Sequence, residues 1–296
     1  MSVEIDLINK GIIKLVDKRQ EVLISIFGGQ VISWKYRSFT KPQELVDIFY
    51  VGSEIRRSGM PVLFPFADPL KDGIFQKTGQ KISRHGFARD NTWDIERINS
   101  DNSEVKLSLS WDSLDISTQN AYPYPFKLEI SYSISSNPSP ELVTRMKVFN
   151  VSDPAFCEDT RMPISPGLHP YFFVDNKMKK YIEIELEGKE ILGGCFGWDS
   201  LTDGKYFDWL SGRLTLAIPN KPFINISQRL ITSVIGFNGI NPFEKLVLWS
   251  QNNTHKDSNF VCIEPFAREQ NAINIDPIIV EEGTSWESEV SFLIKN

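Results

Sequence analysis

KLEISYSIS (127–135) and ELVTRMKVFN (141–150) alternate apolar and polar residues with a period of two, and that alternation decides the fold class. Side chains along a strand point to opposite faces in turn, so this pattern marks strands with one face buried. VKLSLSW (105–111), IEIELEG (182–188), RLTLAIP (213–219), KLVLWSQ (245–251) and EVSFLIKN (289–296) repeat it, with Gly, Pro, Asn or Asp in the gaps. EVLISIFGGQVISWKYR (21–37) reads as two strands around a Gly-Gly turn. No long window keeps the i, i+3, i+4, i+7 spacing of a helix, so few short helices are expected. Many strands without alternating helices predict an all-β protein, an antiparallel sandwich or barrel. No linker, charge run or repeat divides the chain, so residues 1–296 read as one large β domain.

Composition narrows the function classes. The net charge of −6 shows nothing built for nucleic acid. Three scattered cysteines, Cys157, Cys195 and Cys262, exclude a disulfide scaffold and a CxxC metal site. The first residues, MSVEIDLINKGIIKLVDKR, lack the apolar core of a signal peptide, and no stretch approaches the length of a membrane span. A cytoplasmic protein without a membrane partner is the expectation.

One segment breaks the alternation: 58–93, SGMPVLFPFADPLKDGIFQKTGQKISRHGFARDNTW, rich in Pro and Gly. Long irregular segments in compact domains are uncommon and are often functional. His85 lies there between Arg84 and Arg89, whose charges favour a neutral, hydrogen-bonding imidazole over a proton donor. His169, in Pro166-Gly167-Leu168-His169-Pro170-Tyr171-Phe172, is either a hydrogen-bonded core histidine or an acid/base group. His255, in QNNTHKDSN, reads as a solvated turn residue. Glu264 differs from the other carboxylates because it lies in the apolar run FVCIEPF (260–266). A carboxylate buried there must be paired, hydrogen-bonded or raised in pKa. No GxGxxG, GxxxxGK[ST], HExxH or GxSxG motif occurs, so no nucleotide loop, metal site or nucleophile elbow is signalled.

Three islands in order, GMPVLFPF…SRHGFARDNTW (59–93), SPGLHPYFFV (165–174) and FVCIEPFAREQNAIN (260–274), resemble the aldose 1-epimerase (mutarotase) superfamily. The resemblance covers most of the chain, and Arg57-Ser58-Gly59-Met60-Pro61 with HGFAR is similar to the branch that includes hexose-6-phosphate mutarotases. It implies a large antiparallel β-sandwich of the galactose mutarotase-like supersandwich type, with an open sugar cleft. It implies interconversion of the α and β anomers of a hexose or hexose 6-phosphate, without metal or organic cofactor. Carried onto this chain, Glu264 is the general base at the C1 hydroxyl and His169 the general acid at the ring oxygen. His85 then holds substrate near that oxygen. Removing a proton at one oxygen while delivering one at the other suits a carboxylate and an imidazolium, both poised near neutral pH.

In the hexose-6-phosphate branch, arginines at the positions of Arg57 and Arg89 contact the phosphate, and Arg84 adds a third charge; guanidinium forks match phosphate geometry. Alternatively these arginines pair with Asp68, Asp72 or Asp90. Two positions depart from the branch: Ser58 replaces a glycine, and Phe66-Ala67-Asp68 stands where an aromatic-Phe-Gly turn is typical. The resemblance also implies an aspartate on the sugar hydroxyls, and both Asp203 and Asp208 in WDSLTDGKYFDW fit. The expected partner is a small-molecule sugar or sugar phosphate, and the assembly a monomer or homodimer. A non-catalytic sugar-binding or sensing protein on the same fold is the competing expectation, and a glycoside hydrolase would need a second buried carboxylate.

Overall fold

A computed structural model of the chain describes residues 4–9, 11–38, 41, 43–100, 103–155, 157, 159–192, 201–209, 212–228, 243–252 and 258–295. Cys195 and His255 lie outside the described residues. The two strands that opened the sequence reading, Phe126–Ser135 and Glu141–Asn150, are antiparallel neighbours, with Leu128 opposite Val148 and Ile130 opposite Met146. These four side chains are buried. Each aliphatic side chain so placed contributes about 1.5–3 kcal/mol relative to exposure.

Around this pair runs a nine-stranded sheet. On one side Glu141–Asn150 pairs with Ser285–Lys295, which pairs in turn with Phe223–Gln228. On the other, Phe126–Ser135 pairs with Glu104–Ser110 and then the edge strand Asp94–Asn99. A five-stranded sheet holds the N-terminal strands, including Gln20–Ser25 and Gln30–Arg37 with the expected Gly28-Gly29 turn between them. Gly29 has φ +58°, and a Cβ there would meet the Trp93 ring at 2.5 Å, so only glycine closes this turn.

A six-stranded sheet completes the sandwich: Lys205–Asp208, Lys245–Trp249, Phe260–Phe266, Gly167–Leu168 and Val62–Leu63, with Tyr171–Phe173 also on Phe260–Phe266. An aromatic junction ties the three sheets together. Phe49 meets Trp34 and Phe172 edge-on at 5.4 Å each and Phe292 at 6.1 Å. Such pairs add about 0.5–1.5 kcal/mol beyond their area.

The α-helices among the described residues are short, Ile116–Ala121 and Ala272–Ile275. Asp115 caps the first by accepting from the Thr118 amide at 2.9 Å. The architecture is the expected all-β sandwich of antiparallel sheets. No helix among the described residues is long and apolar enough to cross a membrane.

Candidate active site

Phe260–Phe266 is buried along its whole length, and Glu264 within it is buried too. The antiparallel register, Gly167 opposite Phe266 and Tyr171 opposite Cys262, brings His169 across from Glu264. Their side chains meet at 3.3 Å, Nε2 to Oε2, with both residues buried. Gly167 lets this approach happen, because a Cβ there would lie 2.7 Å from Ala67 and Phe266. The His169 ring is stacked on Tyr171 at 4.6 Å with a 6° interplanar angle, and Trp249 closes on its edge at 5.9 Å.

The irregular segment supplies the opposite wall. His85 (φ +70°) and Gly86 (φ +75°) both adopt left-handed backbone. At Gly86 a Cβ would lie 2.0 Å from the Phe64 carbonyl, so glycine is required. At His85 the same conformation is strained, which points to a functional constraint. The His85 Nδ1 bonds the Ala67 carbonyl. A carbonyl only accepts, so Nδ1 carries the proton and Nε2 keeps its lone pair. Burial, then the Arg89 charge, push His85 down to about 3, so it stays neutral as expected. The two imidazoles meet edge-to-face at 5.5 Å.

His169, Glu264, His85, Arg57, Arg84 and Arg89 all line one cavity of about 390 Å³. Asp203 lines it too, whereas Asp208 does not. The Asp208 side chain is 71% exposed and bonds Lys245 at 2.7 Å. The arginines do not take the partners offered as the alternative. Asp90 pairs with Arg56 at 2.7 Å, and Asp68 accepts from the Tyr206 hydroxyl. Arg57 donates to Gln251 at 2.7 Å, and Arg89 to the Arg84 carbonyl at 3.1 Å. Among the described residues, no carboxylate lies within ion-pair distance of Arg57, Arg84 or Arg89. The cavity wall therefore offers guanidinium groups outside any direct ion pair, a setting suited to an anion.

Burial raises Glu264 well above the usual carboxylate range, and the Asp68 charge adds to the rise. Burial lowers His169 strongly, with His85, Arg89 and Arg84 pushing the same way. Burial thus works against charge on either partner, Glu264 holding its proton more tightly and His169 less tightly than in water. Taking two separate charges out of water costs more than their attraction returns. His169, Cys262 and Glu264 also place donor atoms within 4.8 Å of one another. The surrounding guanidiniums oppose a cation there.

Sequence reasoning missed Arg56, Tyr171, Tyr206, Trp249 and Gln251 in the lining. Tyr206 and Trp249 stand in stretches read only as strand or loop, and nothing local marks which face they turn to the cavity.

The aldose 1-epimerase family profile matches residues 12–193. The chain belongs to the aldose 1-epimerase family. It is 23% identical over 289 residues to a candidate glucose-6-phosphate 1-epimerase of Cenchrus ciliaris, covering 90% of this chain and 79% of that one. A solved Synechocystis structure shares the fold at 24% identity and a TM-score of 0.73, covering 96% of this chain and 95% of that one. A galactose mutarotase related enzyme from Lactobacillus acidophilus does so at 18% identity and a TM-score of 0.72, covering 96% and 97%. These likenesses show a shared sandwich scaffold, while function has to be argued from the cleft's own side chains.

Proposed function

We propose that the protein is an isomerase that interconverts the α and β anomers of a hexose or hexose 6-phosphate. The observation that carries this reading is the buried His169–Glu264 pair at 3.3 Å on the wall of a sugar-sized cavity. The pair holds one proton. With that proton on His169, Glu264 takes the C1 hydroxyl proton while His169 gives its own to the ring oxygen. The C1–O5 bond breaks, its electrons go to O5, and C1 becomes an aldehyde carbonyl. Rotation about C1–C2 presents the other carbonyl face. Closure then runs the same transfers backward, so the protein ends unchanged.

The other cavity residues bind. Neutral His85 offers its Nε2 lone pair to a hydroxyl near the ring oxygen. Asp203, rather than Asp208, accepts from sugar hydroxyls. Arg57, Arg84 and Arg89 supply the fork for a phosphate, which the name of the Cenchrus ciliaris relative supports. A protein that only senses sugar has no use for a buried acid/base pair, so the enzyme reading is favoured.

Anomer exchange followed by NMR at equilibrium, with glucose, galactose and glucose 6-phosphate in parallel, tests this. Exchange above the buffer rate that disappears in Glu264→Gln is the expected result. No acceleration with any sugar, from folded protein that binds one of them, moves the assignment to the sensing class.

A further inference from the structure

We propose that Asp68 and Tyr206 are positioning residues for this reaction, a hydrogen-bonded pair that fixes a second carboxylate on the cavity wall to act on Glu264. The inference rests on the epimerase reading and adds two residues that reading does not use. Asp68 is also where the sequence departs from the related branch, with Phe66-Ala67-Asp68 in place of an aromatic-Phe-Gly turn.

The placement comes from three strands and one loop. Tyr206 pairs with Val247, and Val247 with Glu264, so the three residues form one row across adjacent strands. Directly opposed residues share a face of the sheet, which puts Tyr206 and Glu264 on the same side with only Val247 between them. The Tyr206 hydroxyl donates to Asp68 Oδ2. The Asp68 backbone is fixed as well. The Ala67 amide donates to the Ser165 carbonyl at 2.8 Å, and the Ala67 carbonyl holds His85. Asp68, Tyr206, His85 and Glu264 therefore meet around one cavity with little freedom between them.

Two carboxylates in one partly dry cavity do not ionise independently. Asp68 is raised to about 6 by burial, against the Tyr206 bond and the Arg84 charge that both favour its ionised form. Glu264 is raised further, by burial and then by Asp68. The other groups facing Glu264 act otherwise. Arg84 and Arg89 pull its proton affinity down, and burial shifts His169 toward its neutral form. Its own strand offers the Cys262 thiol, which burial keeps protonated, and Lys245–Trp249 offers the apolar Val247. Lys245 turns outward to Asp208 and Glu269. Among the described residues, Asp68 is thus the charged side chain that strengthens Glu264 as a base. A stronger base pulls harder on the C1 hydroxyl, but it empties only at higher pH.

The test is the pH dependence of anomer exchange, with the sugar the wild type turns over, for wild type, Asp68→Asn and Tyr206→Phe. Asp68→Asn should move the acid limb of the rate about one pH unit lower, a tenfold change in proton concentration. Tyr206→Phe should move it the same way by less, because Asp68 loses the donor that keeps it charged. An acid limb at the wild-type position in Asp68→Asn, whatever the rate, overturns the proposal. If Asp68→Asn does not fold, Tyr206→Phe decides in the same way. If the wild type accelerates no sugar, the epimerase reading fails separately. The coupling is then read from the infrared carbonyl band of protonated Glu264, identified by its loss in Glu264→Gln. That band should titrate at lower pH in Asp68→Asn, and an unmoved band overturns the coupling too.

Discussion

The nine-stranded sheet and the cleft wall at 58–93 handle polar groups in opposite ways. In the sheet, Leu128, Ile130 and Ile134 each meet an apolar partner one strand away, and charges such as Lys127, Glu129 and Glu96 pair on the outer face. In the cleft, Arg57, Arg84 and Arg89 stand outside any direct ion pair among the described residues, an imidazole sits in left-handed backbone, and a carboxyl is buried against another carboxyl's charge. The His169 Nδ1 is buried there with no hydrogen-bond partner. A region optimised for stability alone would satisfy or delete such groups. The sheet supplies the stability that lets the cleft keep them.

That contrast can be broken at either end. Glu264→Gln should lower anomer exchange by about 10²–10⁴-fold, the range general acid–base catalysis supplies. Its thermal midpoint should stay the same or rise, since a costly buried carboxyl is gone; a large fall would make Glu264 structural. In the sheet, Leu128→Ala should cost about 2–5 kcal/mol in denaturant unfolding and leave exchange per folded molecule untouched. An equal loss in the exchange rate would show that the two regions are not separable.

A finer cut lies within the cleft. Arg89→Ala should weaken a phosphorylated sugar by about 1.5–3 kcal/mol, the worth of a charged hydrogen bond, and the free sugar far less. KM ratios for glucose 6-phosphate and glucose read this directly, and equal losses would return Arg89 to a structural role. The smallest effect belongs to Asp208→Asn on the outer surface, where an exposed ion pair is worth about 0–1 kcal/mol. Neither exchange nor stability should change beyond that, which separates Asp208 from Asp203.

The scaffold was legible because alternation survives in long strands with one wet face. Phe126–Ser135 and Glu141–Asn150 announce themselves in that way. Val62–Leu63, Gly167–Leu168 and Tyr171–Phe173 do not: two or three residues, nearly all buried, leave no period to read. In the cleft, His85, His169 and Glu264 were legible because rare or charged residues in apolar settings stand out. Their meeting was not, because it depends on the register of Phe260–Phe266 against residues 167–173. Nor was the downward shift of His169, which follows from how completely it is buried. The fold adds that both Arg56 and Arg57 line the cavity, Arg56 paired with Asp90 and Arg57 donating to Gln251.

The fixed tautomer of His85 separates holding from turning over. Its lone pair stays available down to about pH 3, far below the point at which Glu264 fills with a proton. On the proposed mechanism, acid that protonates Glu264 should leave the cleft its grip on a sugar hydroxyl while the chemistry stalls. Under the proposed function, the protein would then pass from a shuttle between two ring forms to a reservoir that stores whichever form it has caught.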